Sequence, residues 1–330
     1  LPISVFEITV LKHKPTKAMH RDPEGGIMSE IKIRQHNTIG FIGLGMMGSR
    51  MVHHLKGSGE LIVFDQSPER TAEIAQATGA TAAQGLEDFA NADTVILMLP
   101  SSTVIDQVVK GVDQQAGLLN VLGEGALIMD MSSATPANTT ANAALAAQKG
   151  IAYIDAPVSG GPAGAASGKL AIMVGCAAAH FAQIEPLLGC LGANVVRTGE
   201  VGSGHAVKAL NNLLAATILQ ATGEIFAAGE KFGLDPVVMQ KVISASSGGS
   251  FMSSVTWPKA VLGKTWDFGF SLALMTKDVG IGMTIVNDAG IEAPICRSNT
   301  QVWQTANQSG HGPQDMTYVA KLARDQAGLS

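Results

Sequence analysis

From Thr38 onward the chain alternates two kinds of segment. Short apolar runs rich in Ile and Val occupy 38–43, 61–65, 94–100 and 126–131, and Ala-rich or amphipathic stretches lie between them. The runs are apolar at consecutive positions rather than at every second one. That pattern predicts strands covered on both faces, as in a parallel sheet. Helices are predicted near 46–56, 68–77, 102–111 and 136–149, with Pro68 and Pro136 suited to a first turn. The alternation continues through strands at 151–158, 170–176 and 194–199 and then stops. From 205 to 233 the pattern reads as one long helix of roughly 40 Å ended by Gly233. Further helices are predicted near 235–246, 270–289, 294–309 and 315–327. The predicted fold class is α/β: a Rossmann-type doubly wound sheet over 38–199, then an all-α domain over 200–330, joined by the long helix.

Bulk properties narrow the function. With 330 residues, 46% apolar and 15% charged, the chain can bury large cores in about two domains. Net charge is −5 with no long basic run, so nucleic acid is not expected as a partner. The apolar stretch 206–228 carries Lys208, Asn211, Asn212, Gln220 and Glu224, so it is not expected to span a membrane. Cys176, Cys190 and Cys296 lack the spacing of a disulfide framework or zinc site, which predicts a reducing, cytoplasmic setting and no metal. Residues 1–37 read as a leader without signal-peptide order, and the part up to about residue 27, before Met28, is expected to be appended to the native chain.

Several segments carry candidate chemistry. Gly43-Leu44-Gly45-Met46-Met47-Gly48 is a GxGxxG that follows a predicted strand and opens a predicted helix. Alone the motif is weak. Here Asp65 ends the next strand, 22 residues after Gly43, where a carboxylate can bind adenosine ribose hydroxyls and repel a 2′-phosphate. Gln66 and Ser67 follow without an adjacent arginine, so NAD is expected over NADP, with Arg70 as the nearest cation able to weaken the preference. The competing reading is a glycine turn that binds nothing. Leu99 and Pro100, and Ser132 and Ser133, fall at ends of later strands, on the edge where such sheets bind ligands; either segment could instead cap the following helix.

The segment 155–170, DAPVSGGPAGAASGKL, joins two apolar runs through bare backbone. Ser159 offers a hydroxyl, and Gly160 and Gly161 offer N–H groups, which together suit a small carboxylate; the alternative is a mobile surface loop. In the long helix Lys208 and Asn212 share a face one turn apart. A lysine on a mostly apolar helix either reaches out to solvent or has chemistry to do. Burial or a nearby positive ring lowers its pKa toward working pH, and alcohol oxidation needs such a base. His205 is a lesser acid–base candidate, since a lone histidine near a helix start is more often a local hydrogen-bonding residue.

Three of these segments, GFIGLGMMG, DAPVSGGPAGAASGKLAIMVG and GSGHAVKALNN, resemble in order the cofactor, substrate and catalytic motifs of the β-hydroxyacid dehydrogenases, and FSLALMTKDVG at 270–280 is similar to a fourth element of that family. The resemblance covers about 38–328. It implies Lys208 as acid–base and Ser159, Gly160, Gly161 and Asn212 around a small hydroxy acid or semialdehyde. It further implies Leu99, Pro100 and Ser133 along NAD, Lys277 reaching the cofactor across the cleft, and Phe270 and Asp278 shaping the site. Read alone, Lys277-Asp278 could be an exposed ion pair. Pro162 and Lys169 fall at positions that vary in the family, which leaves the substrate open. The family usually forms dimers or tetramers. Two alternatives remain: an imine reductase on the same fold, a group that usually lacks the lysine, and a non-catalytic binding member.

Overall fold

The computed structural model describes residues 31–329, so the expected leader to residue 27 lies outside the described residues. Ahead of the first strand, the Arg34 N–H donates to the Gly125 carbonyl and the Asn37 carbonyl accepts from the Glu60 N–H.

The strands are β1 (Thr38–Ile42), β2 (Glu60–Phe64), β3 (Thr81–Ala82), β4 (Thr94–Leu97), β5 (Gly111–Val112), β6 (Gln115–Ala116), β7 (Leu127–Asp130), β8 (Ala152–Asp155), β9 (Val158–Ser159), β10 (Leu170–Gly175) and β11 (Gly192–Gly199). The helices of the same region are α1 (Gly48–Met51), α2 (Pro68–Thr78), α3 (Ser102–Lys110), α4 (Leu118–Val121), α5 (Pro136–Ala147), α6 (Gly161–Ser167) and α7 (Ala178–Gly189). The second region holds α8 (Ser203–Phe232), α9 (Pro236–Ser244), α10 (Leu272–Asp288), α11 (Pro294–Ala306) and α12 (Tyr318–Gln326). No strand follows Gly199 among the described residues.

The main sheet runs β11-β10-β8-β7-β4-β1-β2-β3, with β9 paired to β10 and β5-β6 a separate ribbon. The pairs from β3 through β8 are all parallel. Strands β4, β7 and β8 are buried at every residue, which is why their sequences show no alternation. Ser67 and Thr135 cap α2 and α5 through their side chains, ahead of Pro68 and Pro136.

The expectation of a uniformly parallel sheet fails at one side. Strands β10 and β11 are parallel to each other, but β10 is antiparallel to β8 and β9. Gly175 pairs with Asp155, whereas Ala171 pairs with Ser159. The chain therefore builds out past the end of β8, turns, and comes back level with Asp155. Apolarity alone carries no strand direction, and β11 is largely exposed or half-buried. The glycine-rich segment is also more ordered than bare backbone: Pro162 starts the short α6, whose Ala165 is buried. Two further helical segments escape the hydrophobic pattern. These are α7, with Pro186 inside it, and a wide-turned segment at Met252–Val261 containing Pro258. The predicted helix at 46–56 divides into α1 and a tighter turn, Val52–Leu55.

Two cores result. One gathers residues such as Phe89, Val95, Leu97, Ile105 and Ile128 around the sheet. The other gathers Leu219, Phe226, Trp257, Met275 and Trp303 around α8. Among the described residues no helix is long and apolar enough to cross a membrane.

Candidate active site

Strand order reverses between β1 and β4, which opens a crevice at their carboxyl ends. A cleft of about 1040 Å³ occupies it, lined by Gly43, Gly45, Met46, Met47, Gly48, Asp65, Gln66, Leu99, Pro100, Ser133, Phe270, Lys277 and Asp278, among others. The glycines divide their tasks. Gly43 has φ +98°, and a Cβ there would fall 2.3 Å from the Met98 carbonyl oxygen. A Cβ on Gly48 would lie 1.9 Å from the Gly43 oxygen, so the helix can start only because that atom is missing. A Cβ on Gly45 would meet nothing within 4 Å, which leaves open space for a pyrophosphate beside the backbone. These residues fit a dinucleotide.

Leu44 is the exception among the predicted cofactor residues. Its side chain is fully buried, and it does not line the cleft. Its N–H donates to Asp65 Oδ2 at 2.8 Å, while Oδ1 accepts from the Ser67 N–H at 3.0 Å. Asp65 thus holds the turn and also faces the cleft. Arg70 Nη1 stands 3.7 Å from Asp65 Oδ1 and lines the same space. The β5-β6 ribbon and the Gln84–Glu87 segment also line it, although the sequence pattern did not single them out. Gly111, Asp113 and Gly117 were the available signal: Gly111 and Asp113 have positive φ, which a two-stranded turn needs.

The second region closes one wall. Lys277 Nζ donates to the Pro100 carbonyl at 3.1 Å and the Ser133 carbonyl at 2.9 Å. Three predicted cofactor residues from distant segments are thereby brought together. Nζ also lies 3.4 Å from Asp278 Oδ1 without making a hydrogen bond to it. Asp278 is 2% exposed, and its Oδ2 accepts from Asn212 Nδ2 at 2.7 Å. This meeting depends on Gly282. A Cβ there would lie 2.7 Å from the Ala209 oxygen and 2.8 Å from Leu213 Cβ, so α10 can lie against α8 beside the Lys208–Asn212 turn.

Lys208, Asn212, Ser159, Gly160 and Gly161 do not line the dinucleotide cleft itself. Asn212 stands immediately behind its Asp278 wall. Lys208 is half-buried, and its ammonium makes no hydrogen bond to another described residue. Burial pushes its ammonium below the usual lysine range; the Asp278 charge opposes that shift and the Lys277 charge adds to it. Ser159 is half-buried and Gly160 exposed, out beyond the end of β8. Pro162 approaches the loop before Phe270, since a Cβ on Gly269 would be 3.6 Å from it.

His205 is not at the crevice. It is buried and hydrogen-bonded, with Nε2–H donating to the Ser132 carbonyl at 3.0 Å. Ser132 is buried as well: its Oγ accepts from the Leu99 N–H at 2.9 Å, so it shapes the edge, while its neighbour Ser133 lines the cleft. Among the described residues no three His, Cys, Asp or Glu side chains gather to hold a metal ion.

Comparison with known proteins agrees with this geometry. Residues 38–199 match the family model of the NAD binding domain of 6-phosphogluconate dehydrogenase. Residues 202–323 match that of the NAD-binding region of NADP-dependent 3-hydroxyisobutyrate dehydrogenase. The chain is 35% identical to 2-(hydroxymethyl)glutarate dehydrogenase of Eubacterium barkeri, over 88% of this chain and 96% of that one. It is 32% identical to human mitochondrial 3-hydroxyisobutyrate dehydrogenase, over 87% of each. The solved Mycobacterium tuberculosis 3-hydroxyisobutyrate dehydrogenase with L-serine superposes with a TM-score of 0.79 at 31% identity, covering 88% of this chain and all of that one. With these matches along both regions and a dinucleotide crevice at the sheet edge, the chain belongs to the β-hydroxyacid dehydrogenase family of NAD-dependent oxidoreductases.

Proposed function

We propose that the protein interconverts a small 3-hydroxy carboxylate and its semialdehyde, with Lys208 as general acid–base. The cleft would hold the dinucleotide through Gly43–Gly48 and Asp65; when bound, the group would supply hydride chemistry, NAD⁺ taking up the hydride in oxidation and NADH giving it in reduction. The neutral Lys208 amine takes the hydroxyl proton; in reverse its ammonium returns a proton to the carbonyl oxygen. Asn212, held by Asp278, orients the reacting oxygen. The Ser159 hydroxyl and the Gly160 and Gly161 N–H groups receive the carboxylate. Phe270 excludes water from the wall it shares with Lys277 and Asp278. The observation that carries this reading is the 2.7 Å hydrogen bond from Asn212 to Asp278, which ties the helix turn bearing Lys208 to the dinucleotide wall.

Asp65 supports a preference for NAD over NADP, because its carboxylate faces the cleft where a 2′-phosphate would bring further negative charge. Self-association into a homodimer or homotetramer is supported by apolar side chains left open along α8 and α9, among them Leu214 (61% exposed), Ile225 (58%) and Phe232 (84%). Light scattering on the purified protein tests it. A cytoplasmic location is supported by three free thiols and is tested by cell fractionation.

The deciding experiment offers the purified protein NAD or NADP with 3-hydroxyisobutyrate, L-serine, 2-(hydroxymethyl)glutarate and related hydroxy acids. In parallel it offers a cyclic imine with reduced cofactor. Reduced cofactor formed with a hydroxy acid supports the proposal. Turnover of the imine alone moves the assignment to an imine reductase, and no turnover at all moves it to a non-catalytic binding member.

A further inference from the structure

The first turn of α8 is fastened to the sheet edge more firmly than a helix start requires. At the end of β8, Asp155 accepts from the Gly202 N–H at 2.7 Å through Oδ1 and from the His205 N–H at 2.8 Å through Oδ2. Those two bonds already cap the helix. Gly204 lets the turn lie flush on β10, since a Cβ there would be 2.3 Å from the Met173 oxygen. The His205 ring adds a separate tie. It is 1% exposed; Nε2–H donates to the Ser132 carbonyl at 3.0 Å, and Nδ1 pairs with Thr139 Oγ1 of α5 at 2.7 Å.

The place of that tie matters. Consecutive carbonyls after β7 hold the two helices of the catalytic wall. Ser132 takes His205 of α8, and Ser133 takes Lys277 of α10. Ser132 is itself fixed, its N–H donating to Asp130 Oδ1 at 3.0 Å and its Oγ accepting from the Leu99 N–H. His205 precedes Lys208 by three residues, so the two side chains lie on neighbouring turns of one helix face. Fixing the ring fixes the rotation and height of the Lys208 turn relative to Leu99 and Ser133.

We propose that His205 is a positioning residue for Lys208, anchoring it through the Ser132 carbonyl to the edge that receives the cofactor. The inference rests on the acid–base role of Lys208. An apolar side chain of similar size could fill the buried volume but could not define this register. A misplacement of about 1 Å at a reacting group costs on the order of 10²-fold in rate.

The test compares His205→Leu, His205→Gln and Thr139→Val for kcat, KM, the substrate deuterium isotope effect and thermal midpoint. His205→Leu is expected to lower kcat by roughly 10- to 100-fold with KM for NAD within about twofold, and to raise the isotope effect as chemistry becomes limiting. His205→Gln, whose amide can donate to the Ser132 carbonyl, is expected to recover most of the loss. Thr139→Val, which removes only the hydroxyl facing Nδ1, is expected to lower kcat about threefold. A His205→Leu protein with unchanged kcat and isotope effect but a lower thermal midpoint overturns the proposal, as does equal impairment of the Leu and Gln variants. If His205→Leu does not fold, an unchanged kcat in Thr139→Val overturns it. Absence of turnover in the unmodified protein refutes the Lys208 reading instead.

Discussion

The dinucleotide turn and the Lys208 corner are neighbours built by opposite means. The turn is made of backbone within six consecutive residues, and it works because atoms are missing at Gly43, Gly45 and Gly48. The corner is made of side chains: Asn212, one turn from Lys208, reaches Asp278 across two helices, 66 positions away in sequence. A site of the first kind is broken by adding an atom. A site of the second kind is broken by removing one. Substitutions can therefore separate cofactor binding from proton transfer.

The largest expected effect is at the corner. Lys208→Ala should lower kcat by about 10³-fold, within the range general acid–base catalysis supplies, while NAD affinity by titration stays within about twofold. Loss of both together would give Lys208 a folding role and erase the distinction. At the turn, two glycines should fail differently. Gly48→Ala puts a methyl against the Gly43 oxygen and Phe41, so it should destabilise the fold by about 1–3 kcal/mol, read as a lowered thermal midpoint. Gly45→Val points into open space, so it should leave the midpoint unchanged and weaken NAD by roughly tenfold, about 1.4 kcal/mol.

The same contrast explains what the sequence could disclose. Strands β4, β7 and β8 were legible because burial on both faces makes each residue apolar. The turn was legible because its parts are contiguous and Asp65 follows at a fixed interval. Lys208 and Asn212 were legible as a pair from helical spacing alone. Their partner was not: Asp278 reaches Asn212 only through the close approach at Gly282, and resemblance to a family, rather than any local pattern, drew attention to Phe270, Lys277 and Asp278. Strands β10 and β11 were legible as strands, but their reversed direction was not, because apolarity has no direction. Helix α6 was hidden by its glycines, and α7 by an internal proline. His205 was legible as a local hydrogen-bonding residue near a helix start, but its partners, Ser132 and Thr139, come from distant segments that the sequence does not bring together.

Asp65 lies between the two kinds of site, since its carboxylate both braces the turn and faces the ligand space. Asp65→Ala should shift the ratio of kcat/KM for NAD over NADP toward NADP by about tenfold, because the like charge opposing a 2′-phosphate is gone. It should also weaken NAD, because the Leu44 N–H loses its acceptor. Asp65→Asn retains an acceptor oxygen and should keep more of the NAD affinity while still relaxing the ratio. Unchanged ratios in both variants would remove Asp65 from cofactor choice and leave it only as a brace.

The smallest expected effect is also the most specific to the corner. In the proposed mechanism oxidation uses Lys208 as the neutral amine, so kcat should rise with pH along a limb set by that group. Burial places the limb below the ordinary lysine range, with the Asp278 charge holding it up and the Lys277 charge pressing it down. Removing the carboxylate in Asp278→Asn takes away the group that favours the ammonium, so the limb should move to lower pH. Removing the cation in Lys277→Met takes away a charge that disfavours the ammonium, so the limb should move to higher pH. The two residues are adjacent in sequence and both line the cleft, so general disturbance of the wall would move both profiles alike. Only electrostatic control of one buried ammonium moves them apart, and shifts in the same direction would assign the limb to a group other than Lys208.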